Sequence, residues 1–292
     1  LDEDKSYKEI YNSVICVEKA VLPGFYGTGN DGKVRTFSRG GSDITGAVVA
    51  RGVGASLYEN WTDVSGLLAC DPKIVTRPKS INLISYEELR ELSSMGANVL
   101  HSESIQPVKT ANIPVRILNT FKPDEQGTDI IKTAPKEGSS VTAVTGRENF
   151  TVIAIKKSNM NSQVDFISTV LNIVSREGLS IEHVPSGIDT LSLVIQNSKV
   201  SDTKLNELID GIKREVQPDT ITLTNNISLI AVVGHGMRSS IGTFARLFTS
   251  LATANINVKM IDHVTSDRTI IVGVENGQYK HCIKTIYHEF FN

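Results

Sequence analysis

Cysteine is scarce in these 292 residues: Cys16, Cys70 and Cys282 are the only three, odd in number and far apart. They supply neither a disulfide frame nor the closely spaced thiolates of a structural zinc site, and no metal centre is expected. An excess of either charge is missing too. With 30 Lys and Arg against 32 Asp and Glu, the formal net charge is -2. A nucleic-acid or anionic-membrane partner is therefore not expected. No apolar run approaches the roughly 20 residues that cross a bilayer, and no secretory signal pattern is present. The expectation is a soluble protein of a reducing cytoplasm. What is present is ordinary for a globular chain: 40% hydrophobic and 21% charged residues, long enough for two domains or three small ones. The first residue is Leu1, and residues 1–10 read as a loop running into a helix, so upstream sequence is expected.

The most informative stretch is Phe37-Ser38-Arg39-Gly40-Gly41-Ser42-Asp43-Ile44-Thr45-Gly46. After Asp43 the apolar spacing of Ile44, Ala47, Val48 and Ala50 predicts a helix that ends at Gly52 and Gly54. Ser42 or Asp43 is the expected N-cap, accepting orphan N–H bonds of the first turn. Gly40 and Gly41 then lie beside the positive end of a helix dipole, with the Arg39 guanidinium next to them. That is an anion site in outline, suited to a carboxylate or phosphate. A plain capped surface turn would use the same residues.

Around it the pattern alternates strands and helices. A helix, or a helix running into a strand, is expected over residues 6–20, a short strand over 20–25, a hairpin-like loop over 26–32 and a strand over 34–37. Further strands are expected at 56–60 and 115–119, with a helix opening at the capping box Ser85-Tyr86-Glu87-Glu88 and a short one over 104–111. This is an α/β layered sheet. Trp61-Thr62-Asp63-Val64 follows a strand end, the edge where open α/β sheets bind ligands. Thr62 and Asp63 can hydrogen-bond a base or ribose, and Lys73 can neutralise phosphates; a locally capped turn is the other reading. His101 reads as structural. Residues 121–138, with Pro123, Pro135 and no periodicity, read as a linker.

The second half is a repeat. Strands at 150–156, 180–184, 190–195 and 220–223 and helices at 164–174 and 204–215 make a βαββαβ unit. The order recurs with strands at 228–233, 257–262 and 269–274 and helices at 241–254 and 279–290, but without a last strand. Residues 140–146 are a spare β-rich segment. An uncovered sheet edge is avoided in native folds, so 140–146 is expected to pair in the second unit, leaving the first unit inserted in it. The turn 159–163 opens the first helix and offers N–H groups to a carboxylate. Asp165 and Glu182 offer charge to an ammonium group. The second unit's matching turn, 234–238, has no comparable acidic residue.

Three stretches, 37–46, 58–73 (YENWTDVSGLLACDPK) and 88–101 (ELRELSSMGANVLH), together with Asn112-Ile113-Pro114-Val115, resemble the aspartate kinase signature of the amino-acid kinase family. The resemblance is closest to the monofunctional, lysine-sensitive type, and both C-terminal units resemble ACT domains. It implies the C-terminal portion of an amino-acid kinase α/β sandwich (1–135), then tandem ferredoxin-like ACT domains, 147–225 and 140–146 plus 226–292. The implied reaction is phosphorylation of L-aspartate by ATP with Mg2+, the entry to lysine, threonine and methionine synthesis. Arg39, Gly40, Gly41 and Ser42 would hold the substrate, Asp43 would orient groups near the transferring phosphoryl, and Thr62, Asp63, Lys73 and Asn98 would contact the nucleotide. Lys73 stands where an Arg is common, Leu68 where an aromatic often sits, and uncharged Asn98 where some members carry Lys. Positions matching Met160, Ser162, Phe166, Ile167, Ser180, Ile181 and Glu182 line the effector site of lysine-sensitive members. A homodimer or tetramer through the ACT domains is implied.

Members of the family carry a Lys-Phe-Gly-Gly-Ser phosphate segment that these 292 residues lack. The chain by itself is therefore expected to be inactive. The alternative readings are a non-catalytic regulatory subunit that binds lysine, against which the retained 39–71 motifs count, and an ACT-only scaffold.

Overall fold

A computed structural model of the chain describes residues 2–37, 40–97, 100, 104–133, 140–235, 237, 240–263 and 268–292. Asp2 caps α1 (Glu3–Val14), its carboxylate accepting from the Lys5 N–H. The helix stops well short of residue 20. Beyond it Val17 and Val21 are exposed, so further turns would gain no packing. The strand expected at 20–25 is absent for the same reason: the segment has no partner strand among the described residues. A hairpin of β1 (Tyr26–Thr28) and β2 (Val34–Thr36) leads into α2 (Gly41–Gly52).

The N-cap of α2 is Gly40, not Ser42 or Asp43. Gly40 sits at φ 78°, and no side chain caps the helix. A left-handed φ is cheap only for glycine, so the Gly40-Gly41 pair starts the helix one turn earlier than the apolar spacing indicates. Ser42 and Asp43 fall inside the first turn.

The first sheet runs in the order β3 (Tyr58–Thr62), β7 (Val115–Asn119), β8 (Thr128–Ile131), β6 (Leu83–Ser85). β3 and β7 are parallel, and β7 and β8 antiparallel. A small pair, β4 (Leu67–Leu68) and β5 (Ser80–Ile81), flanks it. Helices α3 (Tyr86–Ser94) and α4 (Gln106–Thr110) complete the layer. The capping box forms as expected: Ser85 Oγ accepts from the Glu88 N–H, while Glu88 Oε2 accepts from the Ser85 N–H. The expected linker is corrected by β8, which lies within it. Four residues are too short to show a period, yet Thr128 and Ile130 are buried between β7 and β6.

In the second half two 14-residue strands, β9 (Ala143–Lys156) and β11 (Thr220–Val233), run through both repeat units. The sheet order is β10 (Thr190–Gln196), β9, β11, β13 (Thr269–Glu275), β12 (Met260–His263). Residues 143–147 pair with 229–233, and 150–156 with 220–227, across a register shift. The expected strand at 180–184 is irregular and makes only isolated bridges, such as His183 to Val194. Four helices cover the sheet: α5 (Phe166–Arg176), α6 (Asp202–Val216), α7 (Thr243–Thr253) and α8 (Tyr279–Phe291).

The cores divide unequally. One continuous apolar cluster runs from Ala47, Ile84 and Leu89 through Ile230 and Val272 to Ile283. It joins the first sheet to the later half of the second sheet. A separate cluster, including Ile153, Phe166, Leu191 and Ile212, belongs to the first repeat unit alone. The second repeat unit is thus fused to the layer of the first sheet, while the first keeps its own core.

Candidate functional site

β3 alternates half-buried Tyr58, Asn60 and Thr62 with exposed Glu59 and Trp61. Successive side chains point to opposite faces, so three polar groups share the covered face toward α2. Asn60 Nδ2 donates to Asp43 Oδ1 at 2.9 Å and to the Tyr58 hydroxyl at 3.1 Å. Burial, with a smaller contribution from the Asp43 charge, pushes the Tyr58 hydroxyl above its ordinary range against the opposing Asn60 hydrogen bond. Asp43 is therefore aimed by Asn60 rather than by helix capping. Arg39 and Asn98 lie outside the described residues, as does His101.

Past the end of β3 opens a cavity of about 800 Å3. Asp63 and Lys73 both line it, as do Asn119 and Lys122 from the end of β7. Thr62 does not line it; its hydroxyl donates to Asp63 Oδ1 at 3.2 Å. Asp71 accepts from the Lys73 N–H at 2.8 Å and so shapes the turn that presents Lys73. The apolar part of the wall includes Cys70, Ile74, Leu92 and Ile283. Lys73 and Lys122 share the wall with the carboxylates of Asp63, Asp71 and Glu125, and Lys122 Nζ is paired with Glu125 at 3.0 Å. Charged groups beside apolar surface suit a ligand with a polar and a flat apolar part. Gly40, Gly41, Ser42 and Asp43 do not line this cavity, so the two halves of the predicted site meet through β3, at Asn60 and at Asp63.

The far wall comes from the second sheet. Residues 143–146 of β9 and Tyr279 and Ile283 of α8 line the same cavity. The Tyr279 hydroxyl donates to the Gly146 carbonyl at 2.8 Å, and burial pushes that hydroxyl up to about 12. Sequence reasoning missed Asn60, Asn119, Lys122 and Tyr279. Asn60 was findable as a polar residue at an inward position of an alternating strand; Tyr279 is far along the chain from Lys73, and nothing local marks it.

The predicted effector residues differ in burial. Met160 and Phe166 are buried in the first unit's own core, with Ile181 packed against it. Ser162, Asp165, Ile167 and Ser180 are exposed. Several N–H groups of the 159–163 turn are already used: Asn159 donates to Asp189 Oδ1, Met160 to the Lys157 carbonyl and Gln163 to the Met160 carbonyl. Glu182 stands in an ion cluster. Its Oε1 accepts from Lys199 Nζ at 2.7 Å, and its Oε2 from Arg147 Nη1 at 3.3 Å. Partial burial pushes the Glu182 carboxyl up, but the Lys199 hydrogen bond and the Arg147, Lys199 and His183 charges outweigh it and hold the group below the usual carboxylate range. Arg147 also donates to the Ser94 carbonyl at 3.2 Å and to Gln196 Oε1. It thereby ties α3 to the first repeat unit.

Comparison with known proteins agrees with this architecture. Residues 17–119 match the amino acid kinase family, and residues 230–290 match an ACT domain. The fold and the cleft thus define an amino-acid kinase segment joined to ACT-type regulatory units. Aspartokinase 3 of Bacillus subtilis is 36% identical over 98% of this chain and 63% of that protein. The crystal structure of Clostridium acetobutylicum aspartate kinase, an allosteric enzyme, is 48% identical with a TM-score of 0.94 over 99% of this chain and 67% of that one. Escherichia coli aspartokinase III in complex with lysine and aspartate, in its T-state, is 25% identical with a TM-score of 0.74, over 92% of this chain and 59% of that one. The chain belongs to the aspartokinase family. It spans 63% of the length of the Bacillus relative and 48% of that of Aspartokinase 1, chloroplastic, from Arabidopsis thaliana.

Proposed function

We propose that this chain is the part of an aspartate kinase that carries the aspartate-binding turn, the nucleotide cleft and the lysine sensor. The reaction would transfer the terminal phosphoryl group of ATP to L-aspartate, giving 4-phospho-L-aspartate, the first step toward lysine, threonine and methionine. The observation that carries this reading is the cavity at the ends of β3 and β7, where Asp63 and Lys73 converge from different turns. Lys73 would neutralise phosphates as a point charge, Lys122 would do so on leaving its pair with Glu125, and Asn119 would read the flatter part of the nucleotide. Phosphoryl transfer needs positioning and charge neutralisation above all. Arg39 would grip the substrate α-carboxylate beside Gly40, Gly41 and Ser42. Asp43, aimed by Asn60, would orient donors near the transferring group; Thr62 would act on the nucleotide through its hydrogen bond to Asp63, and Asn98 would complete the contacts.

Among the described residues no group of three or more His, Cys, Asp or Glu side chains is placed to hold a metal ion. Mg2+ needs only one or two protein carboxylates besides the phosphates, and it would come with the nucleotide.

The arrangement of units follows the same reading: a kinase segment to about residue 135, a first ACT domain over 147–225, and a second built from 140–146 plus 226–292. The register of 143–147 against 229–233 supports the insertion. A homodimer or tetramer through the ACT units in the cytoplasm fits the family, and no described helix is long and apolar enough to cross a membrane.

Two expected outcomes test the reading. The 292 residues assayed by themselves should form no measurable aspartyl phosphate from ATP and aspartate, because the phosphate-cradling Lys-Phe-Gly-Gly-Ser segment is not among them. Hydroxamate-detectable product from this chain alone would refute that. L-Lysine should raise its thermal midpoint, by about 2–4 °C per kcal/mol of linked binding energy. Glu182→Ala should remove the shift, whereas Asp43→Ala should keep it. A normal lysine response in Glu182→Ala would end the assignment of Glu182 as the ammonium acceptor.

A further inference from the structure

The Glu182 carboxylate, assigned to an effector ammonium, is not vacant. Each oxygen already carries a cation of the chain itself, Lys199 on Oε1 and Arg147 on Oε2. The Glu182 side chain is only 20% exposed. Removing a cation from a half-buried carboxylate without replacing it is unfavourable.

The two cations are not equally held. Arg147 is 20% exposed, donates as well to the Ser94 carbonyl and to Gln196, and lies over the Phe150 ring at 5.4 Å. Moving it would open contacts on three elements. Lys199 is 45% exposed and stands at the end of the short turn Asn197–Lys199 that follows β10. Its flexible stem reaches Glu182 across 17 positions of sequence. An ammonium on a four-carbon stem is also the same chemical group as the side chain of free lysine.

We propose, resting on the assignment of Glu182 as effector acceptor, that Lys199 is an internal competitor for the effector: its ammonium occupies the Glu182 oxygen that the ammonium of a bound amino acid takes. Binding is then an exchange of one ammonium for another at Oε1, with Arg147 remaining on Oε2. The exchange never leaves Glu182 bare, and it sets the threshold concentration of the sensor. An apparent dissociation constant rises by the inverse of the fraction of molecules that are open. If the Lys199 pair is formed about four-fifths of the time, removing it should tighten binding about five-fold.

The test is calorimetric titration of the full chain with L-lysine, comparing wild type, Lys199→Gln and Lys199→Arg. Lys199→Gln keeps most of the stem without the charge, and Lys199→Arg keeps a competing cation. Tighter binding to Lys199→Gln by about five-fold, with Lys199→Arg at or below wild-type affinity, is the expected result. Lysine binding by Lys199→Gln where wild type shows none would support the proposal equally. Equal or weaker binding by Lys199→Gln, with wild type binding normally, overturns the competitor role and leaves the reading of Glu182 intact. No binding by any of the three overturns the reading of Glu182 and the competitor with it. A merely structural role for Lys199 would show as a lower thermal midpoint in Lys199→Gln with no gain in affinity.

Discussion

Glu88→Ala should destabilise the chain by about 3–5 kcal/mol, far more than the loss of a helix cap. As a cap alone, the Ser85 and Glu88 pair would contribute about 1 kcal/mol. Glu88, however, is 1% exposed, and it joins two parts of the protein. Oε2 accepts from the Ser85 N–H at 3.0 Å and from Ser85 Oγ at 2.6 Å, inside α3's own cap. Oε1 accepts from Thr142 Oγ1 at 2.6 Å, across 54 positions of sequence. Thr142 leads into β9, and its N–H donates to the Val233 carbonyl at the end of β11. The carboxylate therefore pins the start of α3 to the point where the ACT sheet begins.

Alanine leaves the Ser85 N–H and the Thr142 hydroxyl without that acceptor in a site closed to water, and it opens a small cavity beside Leu89 and Leu92. Glu88→Gln separates these effects. Its carbonyl can still serve Ser85, and its amide can donate to Thr142 Oγ1 once the hydroxyl rotates. Glutamine should lose only about 1 kcal/mol. Denaturant melts of the three proteins decide the matter. A loss of about 1 kcal/mol for alanine, equal to glutamine, would mean that Glu88 is a cap and nothing more.

The same residue shows what could be read from the sequence. Ser85 and Glu88 sit three apart before Leu89 and Leu92, so the capping box was legible from local spacing. The Thr142 bond was not, because nothing near Glu88 specifies which strand passes over it. The repeat was legible for the same reason as the capping box: helix faces such as Leu208, Ile209 and Ile212 carry a regular period. The joining of its strands was not. Gly146, Arg147, Glu148 and Asn149 interrupt the apolar alternation of β9, so residues before and after them read as separate pieces. The strand continues through them because its two halves pair with different parts of β11. β8 was hidden because Thr128-Asp129-Ile130-Ile131 spans only two alternations, and Ile131 breaks the second.

The candidate site divides along the same line. Asp63 and Lys73 were legible from a strand end and a nearby cation. The effector set was legible only as a set of matching positions. Burial then separates Met160 and Phe166, which serve the first unit's core, from Glu182, which faces Arg147 and Lys199. The helix–sheet pattern predicts which residues turn inward, but not which distant cation reaches a given carboxylate.

The proposed insertion of the first ACT unit in the second makes its strongest demand at Gly234. This residue follows β11, and its N–H donates to the Arg268 carbonyl at 2.9 Å. A Cβ there would lie 1.9 Å from the Ser140 carbonyl oxygen and 2.8 Å from Val141 Cα. Both are backbone atoms, so no rotamer change relieves the clash; the lead-in to β9 has to move away from the end of β11. Gly234→Ala should therefore lose about 4 kcal/mol or more. The Thr142 to Val233 bond and the 3.0 Å contact between Ser140 Oγ and Thr243 Oγ1 lie in the displaced region. Two other glycines calibrate the result. Gly242 has φ 89° but nothing within 4 Å of where a methyl would stand. Alanine there should lose only the left-handed strain, about 1–2 kcal/mol. Gly277 has neither a close neighbour nor a positive φ, and alanine there should be neutral or stabilising by up to about 1 kcal/mol. Hydrogen exchange locates the damage. In Gly234→Ala the amides of 143–147 should lose protection while those of 150–156, paired within the first unit, keep theirs. If Gly234→Ala proved as mild as Gly277→Ala, residues 140–142 would not be packed against the end of β11, and the second unit would have to complete its sheet in some other way.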